Sequence, residues 1–161
     1  MSISEIRKLT RIALPDDDYL FRLGVALYGF SSINSFMTEI ICLLDNEKSR
    51  TELVSDFTSG EILDLFRQTR KKLKSQHRLS EIRKIMQETA DLFGKLNTER
   101  TDFVHAYPIT VKDKEQILHR RKDDKGKYFE VTNEFLDDFI SRLHDVSMKL
   151  YEIRDIVRSK I

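Results

Sequence analysis

Tryptophan is absent from this 161-residue chain, and cysteine occurs once, proline twice and glycine five times. So few helix breakers over this length exclude a fold of many short strands joined by tight turns and favour long helices. The single cysteine, Cys42, excludes an internal disulfide and any cysteine-built zinc site. It sits in the apolar run Ile40-Ile41-Cys42-Leu43-Leu44, the setting of a buried structural thiol in a reducing cytosol. The amino terminus, Met1-Ser2-Ile3-Ser4-Glu5-Ile6-Arg7-Lys8, lacks the long apolar core of an export signal, and no unbroken apolar run reaches membrane-spanning length. No membrane partner and a cytoplasmic location are therefore expected. Charge of one sign is lacking as well: 28 basic residues face 27 acidic ones, for a net charge of +1. Any affinity for nucleic acid has to come from local clusters.

What is present is helical periodicity in a chain of ordinary globular composition, 40% apolar and 34% charged. Ser2 to Leu14 reads as a short leading helix. Leu20, Leu23, Leu27, Phe30, Met37, Ile41 and Leu44 form one stripe, interrupted by Asn34, with Pro15 and Asp16 to Asp18 suited to its first turn and Asp45 to Ser49 as its exit. Thr58-Ser59-Gly60-Glu61 opens a helix carrying Ile62, Leu65, Phe66 and Leu73 to about Lys74. A longer stripe follows: Leu79, Ile82, Met86, Thr89, Phe93, Leu96, Arg100 and Phe103. Pro108 ends that helix near Tyr107.

From Ile109 to Thr132 the helical pattern weakens. Ile109-Thr110-Val111 and Tyr128-Phe129-Glu130-Val131 have strand composition around an Asp124-Lys125-Gly126 turn, so this stretch reads as a short hairpin or an ordered loop. Thr132 or Asn133 then caps a last helix with the seam Leu136, Phe139, Leu143, Val146, Leu150, Ile153 and Val157, which suits either an internal core or a surface between copies. The expectation is one all-α domain over residues 1–161. It is an up-down bundle of four to five helices with the excursion before the last.

Arg100 is the odd member of its stripe, filling a register position otherwise held by core side chains. Tyr107 lies almost two turns on and shares its face, whereas His105, five residues on, is rotated well away on an ideal helix. Unwinding of the last turn before Pro108 would let the imidazole swing towards the guanidinium. Such a trio suits phosphodiester chemistry. An arginine fork stabilises charge on phosphate oxygens, a histidine moves a proton near neutrality, and RNA supplies its own nucleophile, the 2′-hydroxyl. Tyrosine adds a hydroxyl for a phosphate or a ring for a base.

Arg100-Thr101-Asp102-Phe103-Val104-His105-Ala106-Tyr107 resembles the Arg-x4-His-x-Tyr motif of HEPN (higher eukaryotes and prokaryotes nucleotide-binding) domains, helical domains that include metal-independent ribonucleases, toxins and phage-defence effectors. The resemblance implies Arg100 and His105 as the catalytic pair, no cofactor or metal, RNA as substrate, and a homodimer with the cleft where two motifs meet. It also implies Tyr107 as the residue that a nucleotidyltransferase-type antitoxin adenylates. Thr101 departs from the pattern, since asparagine, aspartate or histidine often follows the arginine. Some family members are non-catalytic binding modules, which is the rival reading of this chain; a plain structural bundle is a third.

Two basic clusters are further candidates for holding an RNA backbone: Arg67, Arg70, Lys71, Lys72, Lys74, His77 and Arg78, and then His119, Arg120, Arg121, Lys122, Lys125 and Lys127. Asn34 reads as a register-fixing polar residue and Glu39 as a surface carboxylate, with either one an alternative for orienting Arg100 from a neighbouring helix; the resemblance favours Glu39, since in the family a carboxylate on an earlier helix often supports the motif.

Overall fold

The computed structural model describes residues 1–73, 80–113, 115–121 and 128–160. Its elements run α1 (Ile3–Thr10), α2 (Asp17–Leu44), α3 (Arg50–Asp56), α4 (Ser59–Lys72), α5 (Ser80–Val104), β1 (Tyr107–Thr110), β2 (Gln116–Arg121), β3 (Tyr128–Val131) and α6 (Asn133–Lys160). Lys74 and Leu79, expected at helix ends, and the Asp124-Lys125-Gly126 turn lie outside the described residues.

The helices begin where their capping chemistry predicts. The Asp16 carboxylate accepts from the amide of Tyr19 at 2.7 Å, which makes Asp16 the cap of α2 and leaves Pro15 just outside the helix. Thr58 and Glu61 form a reciprocal capping box at α4, and the Thr132 hydroxyl accepts from the amide of Phe135 at the start of α6. Each cap satisfies amide donors that the helix itself leaves unpaired.

The core is a bundle of α2, α4, α5 and α6. Parallel α2 and α6 are stitched by Arg22–Asp137 at 2.7 Å, by the Phe36–Tyr151 ring contact and by Glu39–Arg154. Antiparallel α5 and α6 are joined by Glu99–Arg142 and Glu88–Lys149, each at 2.6 Å. The last turn of α4 lies by the end of α2, where Lys72 meets Asp45 at 2.8 Å. Direction therefore alternates from α4 to α6, while α3, an element the stripes did not announce, carries the chain back between α2 and α4.

Every residue of the expected α6 seam is buried, which makes that seam internal core. The α5 stripe holds too, with Ile82, Met86, Thr89, Phe93, Leu96 and Phe103 buried. On α2 the core face is rotated from the expected one. Tyr19, Ala26, Phe30, Ile33, Met37, Ile40 and Ile41 are buried, and Leu20, Leu23, Leu27 and Leu44 only half so. This helix is apolar on several sides, so spacing alone does not select the face. Over an 18-residue window its mean hydropathy reaches 1.3, enough by length and composition to cross a membrane, with 33% of that window buried in the bundle. Ser31, Ser32, Asn34 and Ser35 interrupt the apolar run but leave the average high.

The excursion is a three-stranded antiparallel sheet in the order β1-β2-β3. The third strand comes from Gln116–Arg121, whose polar and basic residues concealed it. Pro108, which has no amide hydrogen, sits on the edge strand β1 opposite Leu118. Buried Val131 and half-buried Leu118 and Phe129 turn one face of the sheet onto the bundle. Phe129 meets Phe135 edge-on with ring centroids 4.7 Å apart, and Phe103 meets Phe139 at 5.1 Å. This aromatic cluster joins the end of α5, β3 and the start of α6, and so holds the end of α5 in place.

Candidate functional site

Phe103, inside the Arg100–Tyr107 segment, is its structural anchor: it is buried, and it locks the last turn of α5 against Phe135 and Phe139. Arg100, one turn earlier on the same stripe, is half-buried. Its guanidinium carbon lies 5.5 Å from the centroid of the Phe30 ring, over a ring that itself stacks on Phe93 at 5.1 Å. The stem covers core while the charged end lies on an aromatic face, a cation–π contact of about 0.5–1 kcal/mol at a site with solvent access.

Arg100 is flanked in sequence by two carboxylates, and neither neutralises it. Glu99 turns to Arg142 on α6 at 2.6 Å, and Asp102 turns to Arg120 on β2 at 3.3 Å. Among the described residues Arg100 itself has no ion pair. Both adjacent acids are neutralised from distant parts of the chain, which leaves a planar fork of donors available to an external anion.

Thr101 is occupied internally. Its hydroxyl donates to the Asn97 carbonyl at 3.0 Å, and its own carbonyl accepts from Arg120 Nη1 at 2.9 Å and from the His105 amide at 3.2 Å. That last bond bears on the expected unwinding. The backbone keeps its helical hydrogen bond through His105, and only then does the Ala106 amide shift to the Phe103 carbonyl at 3.4 Å as β1 begins at Tyr107. Unwinding thus starts after the imidazole. Five residues in helical register place exposed His105 about 140° around the axis from Arg100, so within one chain the two face different directions.

Tyr107 leads β1 with its side chain 52% exposed, edge-on to His119 at 5.4 Å and 72°. The two residues are cross-strand partners. The sheet therefore brings a second imidazole and a second arginine, His119 and Arg120, to the end of α5. In the sequence they stand out only as part of a basic run. Strand register supplies the missing link, because pairing Tyr107 with His119 carries Arg120 towards Thr101.

The basic clusters divide in the same way. Arg67 pairs with Asp64 and Lys72 with Asp45, and Arg120 is spent on Asp102 and Thr101. Lys74, His77, Arg78, Lys122, Lys125 and Lys127 lie outside the described residues. Glu39 pairs with Arg154 at 3.7 Å and Arg158 at 3.6 Å, and Asn34 keeps a buried carbonyl oxygen with no hydrogen-bond partner among the described residues. Neither bonds Arg100. Cys42 is half-buried, and desolvation pushes its thiol up, away from the reactive thiolate. Among the described residues no group of three or more histidine, cysteine or acidic side chains is placed to hold a metal ion.

A cleft of about 770 Å³ opens elsewhere, lined by Asp16, Asp17, Tyr19, Glu115, Glu130 and Glu134 among others. None of Arg100, His105 and Tyr107 lines it. Its carboxylates give it the wrong sign for a phosphodiester backbone, so the chemistry at the end of α5 takes precedence over this cleft. Comparison of the chain with protein-family models, with curated proteins and with solved structures finds no match.

Proposed function

We propose that this chain is a metal-independent endoribonuclease of the HEPN type, a cytosolic toxin or phage-defence effector working as a homodimer. The observation that supports it is the uncompensated guanidinium of Arg100, left free between Glu99 and Asp102 because Arg142 and Arg120 take both carboxylates. In this reading the 2′-oxygen of RNA attacks the adjacent phosphorus and the bond to the 5′-oxygen breaks, giving a 2′,3′-cyclic phosphate and a 5′-hydroxyl. Arg100 stabilises charge on the phosphate oxygens, and His105 takes the 2′ proton or supplies one to the leaving oxygen. Since Arg100 and His105 of one chain face apart, a shared cleft draws one from each copy. The exposed Tyr107 hydroxyl contacts substrate, and it is the point at which a nucleotidyltransferase-type antitoxin would add adenylate.

The test is cleavage of single-stranded RNA by purified protein in chelator, with the cyclic phosphate as the diagnostic product. Arg100→Ala and His105→Ala should each lose cleavage while retaining the helical spectrum; retained cleavage in both variants sinks the reading. The helical register of His105 favours a second reading, a non-catalytic HEPN-like binding module. It predicts RNA capture that depends on Arg100 with no product from the wild-type protein under any metal condition.

A further inference from the structure

Helix α1 has eight residues and buries none of them. Isolated helices shorter than about 12–15 residues are marginal in water, so a helix of this length draws its stability from a packed face. Here that face is unpacked: Ile3, Ile6 and Leu9 are all exposed, as is Ile12 just beyond the helix. The opposite side and the carboxyl end carry Lys8 and Arg11, neither of which has a carboxylate partner among the described residues. Arg7 pins the helix beside the start of α2, donating to the Pro15 carbonyl at 2.7 Å and to Asp17 at 2.6 Å.

A second unpartnered face lies on α2. Phe21 is 73% exposed and Tyr28 80%, one either side of Gly24, where a side chain would meet nothing within 4 Å. Residues 21, 24, 25 and 28 share one side of the helix, and Asp17 and Asp18 stand one turn before Phe21 on that same side. The two surfaces are complementary. Each is an apolar line of similar reach, roughly 9 Å from Ile3 to Leu9 and roughly 10.5 Å from Phe21 to Tyr28. One ends in basic residues at a helix carboxyl terminus, the other in acidic residues at a helix amino terminus. Laid antiparallel, Lys8 and Arg11 meet Asp18, which unlike Asp17 has no ion pair among the described residues, while isoleucine and leucine cover the aromatic rings. Within one chain neither face covers the other.

We infer that two copies of this chain associate by exchanging α1, each laying its Ile3–Leu9 face along the partner's Phe21–Tyr28 face. A twofold axis closes the exchange, since each copy gives one arm and receives one. The inference concerns association alone and does not rest on the chemistry of Arg100, so loss of RNA cleavage leaves it untouched.

Light scattering on the eluting full chain should give twice the 19.0 kDa chain mass at tens of micromolar. Ile3→Asp, Ile6→Asp and Leu9→Asp combined should halve that mass while the bundle keeps its helical spectrum and a cooperative melt, because α1 contributes nothing to the core. Phe21→Asp with Tyr28→Asp should do the same from the receiving side. For direct proof, an Ile6→Cys chain mixed with a Val25→Cys chain, both carrying Cys42→Ser, should oxidise to a mixed dimer. A monomeric wild type, or a dimer that survives the arm substitutions, overturns the exchange. So does a disulfide formed within a single chain carrying both cysteines, which would mean the arm folds back on its own helix. Arm-dependent flotation with anionic vesicles by a monomeric protein would overturn it in favour of a lipid surface.

Discussion

The phenol of Tyr19 donates a 2.7 Å hydrogen bond to the carbonyl of Val131, 112 positions away, and accepts one of 3.0 Å from the amide of Leu118. Leu118 and Val131 are cross-strand partners, so one hydroxyl from α2 ties β2 and β3 to the bundle. Tyr19 is almost fully enclosed, and burial pushes its phenol up, so it stays a neutral donor over the working pH range.

Tyr19→Phe keeps the ring and deletes the bridge, leaving an amide and a carbonyl unsatisfied away from water. The expected cost is about 1–3 kcal/mol, or roughly 5 °C in Tm for a domain of this size. Calorimetry measures it, and hydrogen exchange should show faster opening in residues 116–121 than in α5. Uniform weakening across the whole chain would contradict this account of the attachment.

Arg120→Ala removes one contact to the Thr101 carbonyl and one to the Asp102 carboxylate together. Arg120 is about one-third exposed, so the loss of stability is modest, about 1 kcal/mol after screening. The larger effect falls on Arg100, because removing the Arg120 charge leaves more of the Asp102 negative potential, two residues away, acting on it. Affinity for a short RNA should fall several-fold, and the second substitution Asp102→Asn should restore it. Failure of that rescue would show that Arg120 contacts the RNA itself.

Lys149 donates to Glu88 and holds its carboxyl below the usual carboxylate range. A lowered folded-state value stabilises above the ordinary carboxylate range of about 4.3 and is lost as pH falls through the lowered value. Urea midpoints of the wild type should therefore exceed those of Glu88→Gln at about pH 6, and the gap should close towards about pH 3. A gap independent of pH would assign the effect to packing instead.

The two glycines of α2 that look alike in sequence should behave oppositely. Gly24 has open space, so Gly24→Ala gains helix propensity and stabilises by about 0.5–1 kcal/mol. At Gly29 a new Cβ would stand 3.1 Å from Leu143 Cδ1, where α2 and α6 come together, and Gly29→Leu should destabilise by about 1–3 kcal/mol. Thermal melts of the two variants decide it, and shifts of one sign would refute the packing assigned to Gly29.

How much of this was legible depended on how local each cause is. The α6 seam and the caps at Thr58 and Thr132 are written within a few residues, and they read correctly; Asp16, expected with Pro15 in the first turn of α2, is instead its cap. The burying face of α2 did not, because leucine, isoleucine and phenylalanine occupy several of its sides and only the neighbours choose among them. Strand β2 hid behind His119, Arg120 and Arg121, whose charge outweighed the strand pattern of Ile117 and Leu118. At the end of α5, Arg100 stood out from its stripe. That Arg142 and Arg120 would take its flanking acids is a fact of tertiary structure, invisible to spacing. The bond from His105 to the Thr101 carbonyl likewise decides the imidazole's direction, where Pro108 had pointed to earlier unwinding.

The parallel pairing of α2 and α6 has a consequence during synthesis. A ribosome makes the α2 surface that faces α6 first and the residues that cover it last, more than a hundred codons later. Until Asn133–Lys160 has emerged, Gly29 and Phe36 on the nascent chain have no Leu143 or Tyr151 to close against. This order of assembly leaves an apolar side of α2 uncovered during most of the chain's translation.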